Sequence, residues 1–512
     1  MENGNVSILR YNPESDSKPH YEAYEFPFEP GMSVLDVAFY IYENLDGTFS
    51  FSYCCRNSHC GLCGAIINGK AGLMCRESAT REMTLEPLRN LTVIRDLIVD
   101  RQEYEKHGDS LRLFLDRVSV PEREPEKIAL EDLDRFKVAS RCVECYSCVS
   151  GCPVVRENRH EFLGPANLVQ LARHAFDPRD ELNREVAAYS AGVYNCTHCS
   201  QCSEVCPHEI APAENIEMLR AQLVVKGRTP RVLNELIAMV RNTEKAITLP
   251  KNKQSYLQRN AGTSNSKVGL FVGCNIDYDF RLMPIATAAV KVMQRLGIKP
   301  AIPAEQVCCG TPLKEVGALE QIKELVIKNV EAFRKAGSTK VLTLCSGCGL
   351  GLKKLWPEVY RKATGQEVPF VVEDFTEFLT GISWAKEGLK GLKLKVTYHD
   401  ACSLRRGQGV YEEPRRLMRA IPELTFVEMP EADYCCGGGG GLRVTNFEMA
   451  KRVLNRKVSF FKGLKVEAIV TGCPTCIKQL TMGLSAERGH KVAVLHPAVV
   501  VAKAMGIEYL NT

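Results

Sequence analysis

Several common signatures are missing from this 512-residue sequence. Met1 to Arg10 is mixed and polar, without the apolar segment of a secretory leader, so a cytoplasmic protein is expected. No run reaches the ~20 uninterrupted apolar residues of a spanning helix. The best candidate, Val492 to Met505, is interrupted by His496, Pro497 and Lys503. A net charge of +5 is small for this length and gives no ground for a nucleic-acid or membrane-surface role. No GxGxxG follows a strand-like run and opens a helix, so the chain is not expected to carry its own flavin.

What the sequence does have is cysteine, 23 of them. In a leaderless chain such a count points to metal rather than disulfides. Hydrophobic residues at 45% and charged residues at 25% fit a soluble globular protein, and the length suits three or four domains.

The first stretch, residues 1–105, reads as short strands around one helix. Val6 to Tyr11 and Tyr21 to Phe26 alternate like strands, and Ser33 caps an apolar-periodic segment reaching Asn44. A cysteine-rich loop runs from Cys54 to Cys75, and Val93 to Val99 closes the unit as an apolar run. Residues 106–249 turn helical and charged. Residues 250–266 are polar and read as a linker.

The remainder is an internal duplication, residues 267–390 and 391–512. Cys274, Cys308, Cys345 and Cys348 recur as Cys402, Cys435, Cys473 and Cys476, at offsets of 128, 127, 128 and 128. Strand-like runs alternate with helical segments such as Met283 to Leu296, which predicts an α/β layer in each repeat. Cys274, Cys345, Cys402 and Cys473 then fall at carboxyl ends of strands, where ligands collect in such sheets.

The cysteine spacings specify chemistry. Cys55-x4-Cys60-x2-Cys63, with Cys75 after eleven more residues, has the plant-type [2Fe–2S] spacing, and Gly61 and Gly64 give the backbone freedom to wrap it. A zinc loop is the alternative. Cys54 lies one residue out of register and is expected not to be a ligand. Two knots follow, Cys142, Cys145, Cys148, Cys152 and Cys196, Cys199, Cys202, Cys206. Each is C-x2-C-x2-C-x3-C-P, a two-cluster signature whose fourth cysteine serves the other cluster. One [4Fe–4S] set is therefore Cys142, Cys145, Cys148 and Cys206. The other is Cys196, Cys199, Cys202 and Cys152.

The duplicated half carries Cys274, Cys308–Cys309–Gly310, Cys345 and Cys348, then Cys402, Cys435–Cys436–Gly437, Cys473 and Cys476. A single CxxC could be a redox dithiol or half a zinc site. Ten cysteines at duplicated spacings point to clusters. The run Gly437 to Gly441 lacks a Walker lysine and reads as a loop that lets backbone approach a cluster. His399 and Asp400 could orient a ligand or deliver protons, or simply form a polar strand end. Arg405 and Arg406 could bind an anionic thiol or face water.

Two resemblances add to this reading. Val6 to Leu223 resembles the iron–sulfur subunit of succinate dehydrogenase and fumarate reductase, through CCR, CGLCG, the NGK before Cys75, the first knot and FLGPANL. It departs at Cys199, where quinone-linked members usually lack a cysteine and hold a three-iron cluster. The restored ligand implies a four-iron cluster of lower potential and argues against quinone. Residues 267–512 resemble the CCG domain of the heterodisulfide reductase B subunit, whose complete five-cysteine sets bind noncubane [4Fe–4S] clusters.

Together the two modules resemble the CoM/CoB-dependent thiol:fumarate reductase family of methanogenic archaea. The resemblance implies an α+β multidomain chain: a β-grasp [2Fe–2S] domain, a helical two-cluster domain, and two α/β CCG repeats. It implies oxidation of coenzyme M and coenzyme B thiols to their heterodisulfide, and electron flow to a partner FAD subunit that reduces fumarate to succinate. A pure electron-relay subunit, or a quinone-linked respiratory subunit, is the competing reading.

Overall fold

The computed structural model describes residues 2–120, 125–249, 255–262, 265–386, 388–485 and 492–510. They form two compact units, 1–196 with 200–222, and 197–199 with 223–512. The division at Gln222/Leu223 precedes the expected linker.

The first unit begins with β1 (Glu2–Arg10) and β2 (His20–Phe28), then helix α1 (Val34–Asn44). Ser33 and Asp36 form the capping box that starts α1. Val34, Val37, Ala38 and Ile41 recur on one helical face and pack against Val6, Ile8 and Phe26. Strands β3 (Gly64–Ile67), β4 (Lys70–Leu73) and β5 (Glu82–Glu86) complete a sheet of order β2-β1-β5-β3-β4, with β1 and β5 parallel. This mixed sheet clasping one helix is the β-grasp arrangement.

Two local expectations are corrected. The segment from Cys54 to Cys75 is not all loop, because β3 and β4 form a hairpin within it. Asn68 and Gly69 at φ 48° and 81° make its turn, the Asn-Gly signal that favours a primed turn. The run Val93–Val99 forms a separate two-stranded ribbon, β6 (Thr92–Arg95) and β7 (Ile98–Asp100). Asp96 is the reason. It is buried, accepts from the N–H groups of Tyr11 and Ser50, and pairs with Arg10 Nε at 3.0 Å. Ser50 is thereby fixed just ahead of the cysteine segment.

The rest of this unit is helical. Helix Gly164–Ala175 is buried nearly all round and packs on Leu130–Ala139, Ser147–Ser150 and Arg184–Ser190.

In the second unit each repeat holds a parallel sheet. The first uses β8 (Val268–Phe271), β9 (Lys340–Thr343) and β10 (Val371–Asp374), in the order β10-β9-β8. The second uses β11 (Leu394–Tyr398), β12 (Leu424–Phe426), β13 (Ala468–Val470) and β14 (Ala493–Leu495), in the order β12-β11-β13-β14. Helices Met283–Arg295 and Pro497–Ala504 pack together, and Leu270, Leu342, Val396 and Ala468 share one core. The repeats are thus one folded body. Part of the expected linker is built into it: Tyr256 and Leu257 are buried, and Ser255 Oγ donates to Asp277 Oδ1 at 2.6 Å. Residues 250–254, 263 and 264 of that stretch lie outside the described residues. No helix among the described residues is long and apolar enough to cross a membrane.

Candidate metal centres

The first cysteine segment is shaped by backbone N–H groups aimed at sulfur. Asn57 and His59 donate to Cys55 Sγ at 3.4 and 3.2 Å, and Ser58 donates to Cys75 Sγ at 3.3 Å. Left-handed Arg56, Ser58 and Gly61 make that curl possible. These N–H groups, Asn57 foremost, lower the Cys55 thiol to about 7, whereas burial pushes Cys63 up to about 12. Cys55, Cys60, Cys63 and Cys75 are the candidate set, and donors pointing at thiolates fit a two-iron group. Cys54 is exposed. A Cβ at Gly61 would lie 2.3 Å from the Val143 carbonyl, so the segment seats directly on the backbone of the first knot.

The two knots repeat one backbone curl. Glu144 and Tyr146 in the first, and His198 and Ser200 in the second, have positive φ at matching positions. Cys142, Cys145, Cys148 and Cys206 line one small apolar pocket with Ala166, Val169 and Ile210. Cys206 is thus brought to the first knot. Burial pushes Cys142 up to about 12 and Cys148 well above its ordinary value. Left alone these thiols stay protonated; a cationic metal reverses that balance, and the four-sulfur donor set suits iron. Of the other set, Cys152, Cys196 and Cys202 are buried in the first unit. Cys199 lies on the short segment Thr197–Cys199 of the second unit, where its thiol hydrogen-bonds Cys435.

In the second unit Cys274 and Cys402 open helices directly after β8 and β11, and Cys345 and Cys473 follow β9 and β13. Each repeat strings its five thiols in the same order. In the first repeat, contacts run Cys274–Cys308–Cys309–Cys348–Cys345. In the second they run Cys402–Cys435–Cys436–Cys476–Cys473, with Cys436 and Cys476 Sγ 3.4 Å apart. Gly310 and Gly437, at φ 86° and 79°, turn their N–H groups onto Cys308 and Cys435 Sγ at 3.5 and 3.3 Å. A side chain at Gly437 would also collide with the Ala450 carbonyl, 2.6 Å from its Cβ.

One cavity of about 340 Å³ lies between the repeats. It is lined by Cys274, Cys309, Cys345 and Cys348 of the first and by Cys402, Cys435, Cys436, Cys473 and Cys476 of the second. Gly438 to Gly441 form part of its wall, and Leu236, Val272, Ile276 and Val444 supply apolar surface. Among the described residues its cations are Arg443 and Lys478, neither singled out from the sequence; Lys478 Nζ donates to Asn275 Oδ1 at 2.6 Å and lies 4.0 Å from Asp279 Oδ2. The two cations flank the glycine run and the last CxxC, and that adjacency was the only available signal. The arginines that were singled out have another task. Arg405 and Arg406 both pair with Asp433, the latter at 2.6 Å with its side chain 3% exposed.

His399 and Asp400 also separate in role. Asp400 is locked in a two-pronged pair with Arg415, at 2.9 and 2.8 Å. His399 is buried, and its ring lies within 4.8 Å of Cys436 and Cys476 Sγ. Burial, aided by Lys457, pushes its pKa down to about 3 and keeps the ring neutral.

Comparison with known proteins follows the same partition. Residues 5–106 match a 2Fe-2S iron-sulfur cluster binding domain, residues 138–210 a 4Fe-4S dicluster domain, and residues 268–353 and 396–481 the cysteine-rich CCG domain. The chain is 35% identical over 498 residues to the B subunit of the fumarate reductase (CoM/CoB) of Methanothermobacter marburgensis, covering 96% of this chain and 97% of the relative. It is 30% identical over 396 residues to the D subunit of the dihydromethanophenazine:CoB–CoM heterodisulfide reductase of Methanosarcina acetivorans, covering 72% and 94%. The fumarate reductase iron-sulfur subunit of Mycobacterium tuberculosis is 37% identical over 221 residues, covering 41% of this chain and 89% of that one.

Proposed function

The chain belongs to the family of CoM/CoB fumarate reductase B subunits, and on that premise we propose that it oxidises two thiols to a disulfide and passes the electrons to a partner that reduces fumarate. The thiols are those of coenzyme M and coenzyme B, and the partner is an FAD subunit. Two thiols forming one S–S bond release two electrons and two protons; fumarate takes up two of each to become succinate.

The supporting observation is the shared cavity, where CCG cysteines of both repeats face one space, so that clusters held by them would meet an entering thiol from both sides. Arg443, with Lys478 held nearby by Asn275 and Asp279, binds the anionic ends of the substrates and holds the sulfurs toward the cysteines. Leu236, Val272, Ile276 and Val444 exclude water around them. The glycine wall leaves room for close approach. The clusters, when bound, take the electrons one at a time.

The cofactor complement is one [2Fe–2S], two [4Fe–4S] and two noncubane [4Fe–4S] clusters, held by the 22 cysteines other than Cys54. The seat of Gly61 on Val143 supports electron passage between the first knot and the two-iron group. The flavoprotein docks around Cys55 to Cys75, where Tyr53 and Leu62 are exposed.

The purified complex, assayed anaerobically with fumarate and defined thiol pairs, should form succinate and disulfide in equal amounts. Fumarate reduction that proceeds with viologen but with no thiol pair would instead favour the pure relay.

A further inference from the structure

The two repeats match cysteine for cysteine but not in what surrounds the cysteines. At the offset of 128, His399, Asp400 and Lys457 of the second repeat correspond to Phe271, Val272 and Asn329 of the first. Phe271 is an ordinary core residue, packed edge-on to Trp356 with ring centroids 5.7 Å apart. His399 occupies the corresponding strand end, 1% exposed, and its backbone N–H continues the sheet to the Val470 carbonyl at 2.9 Å.

The ring of His399 is one of several buried polar groups of this repeat without a well-formed partner, and the one among them beside two cluster cysteines. Neither Nδ1 nor Nε2 makes a well-formed hydrogen bond among the described residues; the nearby Ala432 carbonyl already accepts from the Asp400 N–H at 3.0 Å and Lys457 Nζ at 2.9 Å. Buried polar groups are ordinarily paired, so an imidazole without partners marks the place of a group the polypeptide does not supply. The neighbouring polar residues are committed elsewhere: Asp400 to Arg415, and Lys457 Nζ to the carbonyls of Glu431 and Ala432 at 2.6 and 2.9 Å. The sulfur atoms of Cys436 and Cys476 lie within 4.8 Å of the ring. The second repeat already has five thiolates, as the first does without a histidine, so an added iron ligand is not required. A neutral imidazole also carries one N–H donor.

We propose that His399 donates an N–H···S hydrogen bond to the sulfur shell of the cluster held by Cys402, Cys435, Cys436, Cys473 and Cys476, and so makes this cluster easier to reduce than its counterpart in the first repeat. Such hydrogen bonds favour the more negatively charged, reduced state and are a known lever on cluster potential. His399 is a positioning residue in this account. The second repeat is also the one whose Cys435 hydrogen-bonds Cys199. Electrons released in the cavity therefore collect on the repeat that touches the relay segment.

The inference rests on the cluster-binding reading of the repeats, but its test needs neither thiol nor fumarate. The full chain in complex with its flavoprotein is purified anaerobically as parent, His399→Phe, His399→Gln and His399→Asn. Each is titrated electrochemically with EPR detection, and iron is counted. The expected result is that His399→Phe, which imitates Phe271, moves one CCG signal to lower potential at unchanged iron content. At least one amide variant should restore it, since Gln and Asn place an N–H near Nε2 and Nδ1 respectively. An unmoved potential in His399→Phe overturns the proposal, as does an equal shift in all three variants. Loss of iron from all three would make His399 a ligand and also overturn it. If only His399→Phe fails to load, a parent-like potential in an amide variant sustains the proposal, and a lowered potential in both overturns it.

Discussion

Cys345 and Cys473 begin the CxxC turns of opposite repeats, and their buried thiols are neighbours. This contact joins the two five-thiol strings into one continuous series of ten. Groups held by the two sets would be immediate neighbours, sharing the cavity that both sets line. The duplication thus yields one composite site rather than two independent ones.

Iron content tests the cluster complement. Complete cysteine sets for one two-iron and four four-iron clusters give about 18 irons per chain. Anaerobic analysis of the reconstituted protein should approach that number. A value near ten would leave the CCG sites empty.

Arg443 tests the cavity's charge. Replacing it with alanine removes one charge-assisted contact, so KM for an anionic thiol should rise about tenfold, equivalent to about 1.4 kcal/mol. A neutral thiol of similar size should be little affected. Equal changes for both would mean that Arg443 does not bind the anionic group.

Cys199 tests the second four-iron set. Cys199→Ser removes one of four ligands, and the oxidised protein should show the EPR signal of a three-iron cluster. Retention of four-iron signals alone would refute the proposed ligand set.

His496 makes stability depend on pH. Its Nδ1 accepts from the Ala498 N–H and its Nε2 donates to the Leu344 carbonyl, an arrangement that needs a neutral ring. Burial lowers its pKa from 6.5 to about 4. The unfolded chain therefore binds more protons across that window. Stability is full above about 6.5 and falls as the pH drops toward 4, by up to about 1.4 kcal/mol per pH unit. His496→Asn keeps an acceptor at the helix start and removes the titration. In anaerobic denaturation it should lose less stability than the parent between about pH 7 and pH 5. Identical losses would contradict this assignment.

Much of this architecture was legible because it is local. Ser33 with Asp36, the spacing of Cys55, Cys60 and Cys63, and the strand ends before Cys274 and Cys402 all depend on residues close in sequence. The hairpin at Asn68–Gly69 was equally local, but the flanking cysteines drew the segment into a loop reading. Val93 to Val99 reads as one apolar run because the partners that bury Asp96 within it, Arg10, Tyr11 and Ser50, are distant in sequence. The same holds for the cavity. Arg405 and Arg406 sit beside Cys402, yet Asp433 engages both, and the cations that line the space arrive from Arg443 and from Lys478, which itself lies 4.0 Å from Asp279. Charge near a motif is visible in a sequence; which charge is already neutralised is a tertiary fact.

The central claim is that thiol oxidation takes place at the CCG cysteines. Cys436→Ala in the intact complex tests it most directly, because Cys436 contacts both Cys435 and Cys476 and lines the cavity. Thiol-dependent fumarate reduction should be abolished, while viologen-driven fumarate reduction and the EPR signals of the N-terminal clusters persist. Thiol-dependent activity that survives the substitution would contradict the account.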